Sequence, residues 1–166
     1  TPFGIDSSDI PENYAPYRRD PETLARRWVV PGTPGHEHRI GGLETEDITG
    51  NVSYDSENHE RMVKLRQKKI DGIANDIPDI TVHGPQSGDL LVLGWGSTRG
   101  ACRHAIESAQ ANGLSVAGAQ LRYLNPFPKN LAAVLNNFKY VLVPELNLGQ
   151  LRMMLRAEFL VDVIGL

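Results

Sequence analysis

From about Ile80 to its end, the chain alternates short apolar runs with stretches that have the apolar spacing and length of helices. The runs expected to form strands are LLVL (90–93), SVAGAQLRYL (115–124), KYVLVPEL (139–146) and VDVIGL (161–166). The apolar positions of the intervening helices are 102, 105, 106 and 109, then 131, 134, 135 and 138, then positions within 148–159. Such alternation indicates parallel strands, because consecutive parallel strands need a crossover connection that is usually a helix. We therefore expect an α/β fold of three layers, a mostly parallel open sheet with helices on both faces.

The first 78 residues have a different composition, rich in proline, glycine and charge and poor in apolar runs. Six prolines interrupt the first 34 residues, at positions 2, 11, 16, 21, 31 and 34. Such a segment buries too little apolar surface to fold alone. We expect residues 1–78 to be an extended N-terminal arm with one helix near 56–73, capped by Ser56, and residues 79–166 to be the α/β domain. Residues 1 to about 35 should be poorly ordered or lie over another subunit.

Composition excludes several classes of function. The net charge of −3 gives no bulk attraction to nucleic acid or to an anionic membrane, and the basic residues of 61–69 are interpreted as a solvated or interface face. No run approaches the roughly 18 apolar residues of a membrane span. The single Cys102 excludes an internal disulfide and an iron–sulfur cluster within this chain, and a cytoplasmic protein is expected. The ends, TPFGIDSSDI and VDVIGL, suggest a piece of a longer polypeptide.

The stretch LGWGSTRG, where a strand leads into a helix, raises the question of a dinucleotide site. Gly94 and Gly96 fit a G-x-G-x-x-G fingerprint, but Arg99 stands where the third glycine belongs. No acidic residue occurs in 116–124, where the ribose ligand is expected. The pattern therefore favours a sharp turn with Ser97 or Thr98 capping the helix. Binding of an anion by the free amides and Arg99 remains an alternative.

Two further loops follow strands of the expected sheet. The first contains Arg122 and Asn125; the second, VPELNLGQ, contains Glu145, Asn147 and Gln150. Because parallel strands end at one edge, these loops should meet the GWGSTRG turn there. Asn147 can cap the next helix, and Glu145 is expected to accept hydrogen bonds from a partner. No nucleophile–base pair is present in these loops, so they are interpreted as an interface. The run His36-Glu37-His38 is interpreted as a solvated loop, and no metal site is assigned.

Taken together, GWGSTRGACRHAIESAQANG, LRYLNPFP and VPELNLGQL resemble the second domain of the alpha subunit of thiamine-dependent 2-oxoacid:ferredoxin oxidoreductases, of the 2-oxoglutarate type. That domain is similar to the C-terminal domain of transketolase. The upstream GGLETEDITGNVSYDSENHERMVKLRQKK also resembles the family, in which a Gly-Leu-Glu loop precedes a helix. The matching positions with functional side chains are Glu44, His59, Arg66 and Lys69. Thr45 stands where archaeal-type members have histidine.

The resemblance implies a parent enzyme that decarboxylates a 2-oxoacid oxidatively, with coenzyme A as cosubstrate and ferredoxin as electron acceptor. Its cofactors are thiamine diphosphate, magnesium and iron–sulfur clusters. The Gly-Asp-Gly motif for the diphosphate is absent, since Gly88-Asp89 is followed by Leu90. We therefore expect a non-catalytic domain that holds no cofactor and docks on the rest of the alpha subunit and on the beta subunit. The alternatives are a stand-alone anion- or nucleotide-binding module and a purely structural interaction domain.

Overall fold

The computed structural model describes residues 4–5 and 10–166, and the described chain packs as two compact units, Thr1–Ile73 and Ala74–Leu166. Part of the segment expected to be poorly ordered, residues 1–3 and 6–9, lies outside the described residues. The expected division into an arm at 1–78 and an α/β domain at 79–166 concerns domains that fold independently, and it stays a prediction.

The first unit consists mainly of turns. Two short strands, β1 (Gly4–Ile5) and β2 (Trp28–Val29), pair in parallel. The only long element among the described residues of this unit is α1 (Ser56–Gly72), which confirms the helix expected near 56–73. Its cap is Asp55 rather than Ser56, because the Asp55 carboxylate accepts a hydrogen bond from the Asn58 amide at 2.7 Å. Both residue types cap helices well, and the extended backbone of Asp55 decides which of them does so here.

The second unit is a five-stranded sheet with helices on both faces, which confirms the expected fold class. Its elements are β3 (Val82–His83), β4 (Gly88–Trp95), α2 (Arg99–Ala111), β5 (Val116–Leu121), α3 (Leu131–Asn136), β6 (Phe138–Val143), α4 (Gln150–Phe159) and β7 (Val163–Gly165). The strand order is β3-β5-β4-β6-β7, and all pairs are parallel except β3 with β5. Phe138, expected in a helix, begins β6, since α3 ends at Asn136.

The two faces of β4 hold different helices. Leu91 and Leu93 are fully buried in the main core, which includes residues of α3 and α4. Val92 points the other way and packs with Cys102 of α2. This period of two is the reason why an apolar run such as LLVL must be covered on both sides.

Close packing of α2 on the sheet depends on Gly118 of β5. Any side chain there would collide with Ile106 of α2. The helix ends as expected near Asn112-Gly113, where Gly113 adopts a left-handed conformation with φ of 81°. No helix in the described part of the chain combines the length and apolar character needed to cross a membrane.

Candidate functional site

Three loops begin at one edge of the sheet, as expected. The parallel strands β4, β5 and β6 end at Trp95, Leu121 and Val143. We call this the carboxyl edge. The chain leaves β4 for α2 on one face and leaves its neighbour β6 for α4 on the other face. Such a reversal opens a crevice between strand ends, where α/β proteins bind ligands or partners.

The turn after β4 is built by its own side chains. Gly96 has φ of 57°, a conformation that favours glycine. A Cβ at Gly94 would lie 2.6 Å from the end of the Gln120 side chain, which would have to move to make room for it. The hydroxyl of Thr98 donates to the Trp95 carbonyl at 2.7 Å and accepts from the Trp95 amide at 3.3 Å.

The expected capping of α2 by Ser97 or Thr98 is therefore wrong. Thr98 occupies the N-cap position, but its side chain makes no capping hydrogen bond because the hydroxyl closes the preceding turn instead. Ser97 is exposed. The GWGST segment is thus a turn closed by its own side chain, and its role, packing or anion binding, stays a prediction.

Residues 144–149, which we call the PELNLG loop, hold the beginning of α4. The buried carboxylate of Glu145 accepts hydrogen bonds from the Leu151 amide at 2.9 Å and the Arg152 amide at 3.1 Å. This geometry stabilises a helix whose first amides have no partner within the helix. Both carboxylate oxygens are thus used within the chain, which corrects the expectation that they face a partner.

Asn147 holds the beginning of the same helix through its amide oxygen, as expected, although the N-cap position itself is Gly149. Its side-chain oxygen accepts hydrogen bonds from the amides of Gly149 at 2.8 Å and Gln150 at 3.0 Å. Gln150 is the exposed first residue of α4. Gly149 has φ of 86°, so glycine is suited to this turn.

Two leucines of the same loop were missed by sequence reasoning. Leu146 is 87% exposed and Leu148 is 93% exposed. The loop alternates inward polar residues, Glu145 and Asn147, with these outward apolar ones. The alternation E-L-N-L indicates that polar and apolar side chains point to opposite sides. It does not show which of the two sets points outward, and the polar set was expected to do so. The carboxyl edge therefore presents apolar surface to its surroundings.

Arg99 and Arg122 lie together on a different surface. Both line a cavity of about 600 Å³ formed by α2, β5 and the segment before β4. Asn125 is exposed in the loop that follows β5. The structure thus divides the expected interface residues between the crevice and this cavity.

Three of the four family-motif residues of the first unit form one ionic cluster, which we call the Glu44 cluster. The Glu44 carboxylate lies 2.6 Å from Nδ1 of His59 and accepts two hydrogen bonds from the Arg66 guanidinium, at 3.1 and 3.2 Å. His59 and Arg66 are seven residues apart on α1 and so share a face. The hydrogen bonds from Arg66, helped by those from His59 and the Thr45 amide, lower the pKa of Glu44 to about 2. Lys69 makes no ion pair within the described part of the chain.

A second set of contacts joins the same loop to α1. Asp47 lies 2.9 Å from the guanidinium of Arg61, and its amide donates to the Asn58 side chain at 3.3 Å. The Asn58 side chain in turn donates to the Thr45 carbonyl at 3.0 Å. The Gly-Leu-Glu loop is thus fastened to the helix at several points.

Metal-ligating residues do not converge in residues 10–166: no group of three or more His, Cys, Asp or Glu side chains is placed to hold an ion. In the run His36-Glu37-His38, the ring of His38 lies 3.0 Å from the His36 carbonyl, and Glu37 accepts from the Gly35 amide.

The fold of the second unit agrees with a match to a known family. Residues 88–160 match the family described as pyruvate:ferredoxin oxidoreductase core domain II. The resemblance expected from the motifs is thus confirmed over these residues.

Similarity extends over nearly the whole chain. The 2-oxoglutarate oxidoreductase subunit KorA of Mycobacterium tuberculosis is 54% identical over 153 residues, which is 92% of this chain and 23% of the relative. The 2-oxoglutarate synthase subunit KorA of Methanocaldococcus jannaschii is 32% identical and aligns with 82% of this chain and 40% of its own length. The chain thus spans 23–40% of the length of these two curated relatives.

A solved structure has the same fold. It is a 2-oxoglutarate:ferredoxin oxidoreductase from Magnetococcus marinus with 2-oxoglutarate, coenzyme A and succinyl-CoA bound. The match has a TM-score of 0.82 at 32% sequence identity and covers 93% of this chain and 27% of that chain.

Proposed function

We propose that the chain is a non-catalytic, assembly-supporting domain in the alpha subunit of a cytoplasmic 2-oxoglutarate:ferredoxin oxidoreductase. The parent enzyme would decarboxylate 2-oxoglutarate oxidatively, transfer the acyl group to coenzyme A and pass electrons to ferredoxin. The support for the substrate is the 54% identity to a relative named for 2-oxoglutarate. The support for coenzyme A is its presence in the similar solved structure.

The residues of this chain do not fit the redox or thiamine cofactors of such an enzyme. Its one thiol, Cys102, is buried between α2 and the sheet, whereas an iron–sulfur cluster takes about four thiolates. Gly88 and Asp89 begin β4, and Gly88 pairs with Phe138 of β6, so they belong to the sheet rather than to a diphosphate-binding loop. Thiamine diphosphate, magnesium and the clusters are therefore assigned to the rest of the enzyme.

The observation that carries the assembly role is the exposure of Leu146 and Leu148 on a loop that is otherwise rigidly held. Glu145 and Asn147 fix the loop to α4, so the leucines project from a well-defined backbone. Full burial of a leucine side chain contributes about 1.5–3 kcal/mol. Two preorganised leucines at the carboxyl edge therefore suit contact with a neighbouring domain or with the beta subunit better than they suit water.

A chimera tests this role. The chain replaces the matching segment of the Mycobacterium tuberculosis subunit, which is coexpressed with its partner subunit. The test variant carries Leu146→Ser and Leu148→Ser, and the control carries Leu114→Ser, a 60% exposed leucine at the opposite edge of the sheet. We expect the double variant to lower the yield of assembled, active enzyme at least about tenfold and the control to leave it unchanged. Equal yields from both variants would exclude the docking role.

A further inference from the structure

We propose that the cavity between α2, β5 and the segment before β4 binds a small organic anion, a carboxylate or phosphate on a compact apolar body, through Arg99 and Arg122. We call it the α2–β5 cavity. It is separate from the crevice of the carboxyl edge, and the proposal does not depend on the parent enzyme's activity. Its volume of about 600 Å³ lies within the range of ordinary small-molecule sites.

Small residues of β5 create the depression. Gly118 and Ala119 lie in the lining, and the side chain of Ile106 from α2 lies directly over Gly118. Together with Ile80, these groups form an apolar floor. Such a floor suits the apolar body of a ligand, while the polar groups at the rim select its charge.

Side-chain hydrogen bonds to the backbone hold the walls of the cavity. The backbone amide of Ile80 donates to the Asn130 side chain at 2.9 Å, and that side chain donates back to the Ile80 carbonyl at 2.9 Å. On the other side, the amide of Gln110 donates to the Val116 carbonyl at 2.8 Å. A preformed wall lowers the ordering penalty of binding.

Of the three arginines that line the cavity, only one has an ion pair with a carboxylate of the described residues. Arg103 is paired with Glu107 at 2.7 Å. Arg99 and Arg122 make no ion pair with any carboxylate of the described residues. The one other acidic residue in the lining is Asp79, so the lining contains two arginines without an ion pair and a single further carboxylate. A planar guanidinium binds carboxylate and phosphate oxygens bidentately, which makes an anionic group the ligand chemistry that this rim recognises.

An aromatic side chain completes the entrance. Tyr123 also lines the cavity and is 45% exposed. Arg122 and Tyr123 are consecutive residues that follow the last residue of β5, Leu121. An anion carried on an aromatic or aliphatic body would contact both of them.

Calorimetric titration of the full chain tests the proposal with three probes. Phenyl phosphate and 3-phenylpropionate represent the two anion sources, and 3-phenylpropanol is the neutral control. We expect at least one anion to bind with a dissociation constant below about 1 mM and the alcohol to bind at least about tenfold more weakly. The anion that binds more tightly shows whether the site prefers a phosphate or a carboxylate. Binding of neither anion, or equal binding of the alcohol, would overturn the proposal.

Variants locate the site. Arg99→Gln and Arg122→Gln should each weaken binding of the anion about tenfold, because a charged hydrogen bond is lost. Lys139→Gln, which removes an exposed charge on β6, should change it less than about twofold. Circular dichroism spectra verify that all three variants are folded. Undiminished binding by both arginine variants would show that the anion binds elsewhere and would overturn the proposal.

Discussion

The two units of the chain are stabilised by different interactions, ionic contacts in the first and apolar burial in the second. Among the described residues of the first unit, the only buried hydrophobic side chains are Val29 and Met62, while ionic contacts join Glu44 and Asp47 to α1. The second unit has an apolar core on each face of the sheet: the larger is built from every strand except β3 together with α3 and α4, and the smaller packs α2 against β4 and β5. Here Glu145 and Asn147 use their side chains to hold the beginning of a helix.

This difference indicates which conditions and substitutions should change the stability of each unit. Apolar burial is insensitive to pH and tolerates salt, whereas exposed ion pairs are screened by salt and depend on protonation. A family motif such as Gly-Leu-Glu can therefore be structural. In this chain its glutamate fastens a loop that has little hydrophobic core to stabilise it.

Truncation of the sheet core should have the largest effect. Leu93→Ala removes a fully buried side chain from β4, and we expect it to lower the free energy of unfolding of the second unit by about 2–5 kcal/mol. Denaturant titration followed by circular dichroism measures the loss. The exposed Leu114→Ala is the control, with an expected change within about 0.5 kcal/mol. A loss below about 1 kcal/mol for Leu93→Ala would show that the apolar core does not dominate this unit.

Removal of the Glu145 carboxylate should come next. Glu145→Ala leaves the amides of Leu151 and Arg152 without their acceptor, and the expected destabilisation is about 1–3 kcal/mol. The melting temperature of the isolated chain reports it, with the exposed Glu158→Ala in the same helix as the control. An unchanged melting temperature would instead favour the sequence-based view that Glu145 serves only a partner.

The Glu44 cluster should make the first unit sensitive to acid. The pKa of Glu44 is lowered from its ordinary 4.5 to about 2, so its stabilising contribution is complete above pH 4.5 and is lost as the pH falls towards 2. Because Arg66 and His59 are half or more exposed, the contribution is expected to be about 1 kcal/mol.

Amide hydrogen exchange of residues 44–66 in wild type and Glu44→Gln measures this contribution. The difference between the two proteins should shrink as the pH falls from 5 to 2, after correction for intrinsic exchange. Glu12→Gln, at an exposed position of the same unit, should show no such trend. A difference independent of pH would mean that the carboxylate charge is not what fastens the loop.

The smallest effect is expected at Asn147. Asn147→Ala loses the cap on the Gly149 and Gln150 amides and should cost about 0.5–1 kcal/mol. Asn147→Asp keeps the acceptor and should retain most of the stability. Thermal unfolding of both variants checks the order, and equal loss in the two would argue against capping.

The sheet could be predicted from sequence because its signal is local. Apolar runs and helical spacing specified four parallel strands and three helices, and the glycine after α2 marked where that helix ends. The antiparallel β3 was missed, since two residues are too few to show a period. Phe138 was assigned to a helix because its spacing from Leu135 suits one equally well.

The site could be predicted only in part because side-chain direction beyond a strand end depends on tertiary contacts. The sequence shows that Glu145 follows a strand, but the inward rotation of its carboxylate depends on where α4 begins. Likewise, Arg99 and Arg122 are far apart in the chain, and only the packing of α2 on β5 brings them to one cavity. The Glu44 contacts became visible through family resemblance rather than through periodicity.

The functional account depends on contact between the PELNLG loop and neighbouring protein in the assembled enzyme. Hydrogen exchange of residues 144–149 is the most direct measurement, compared between the isolated chain and the assembled Mycobacterium tuberculosis chimera. The turn at 112–115, at the opposite edge of the sheet, is the internal reference. We expect slower exchange at 144–149 on assembly, with little change at 112–115. Equal exchange of residues 144–149 in the two states would contradict it.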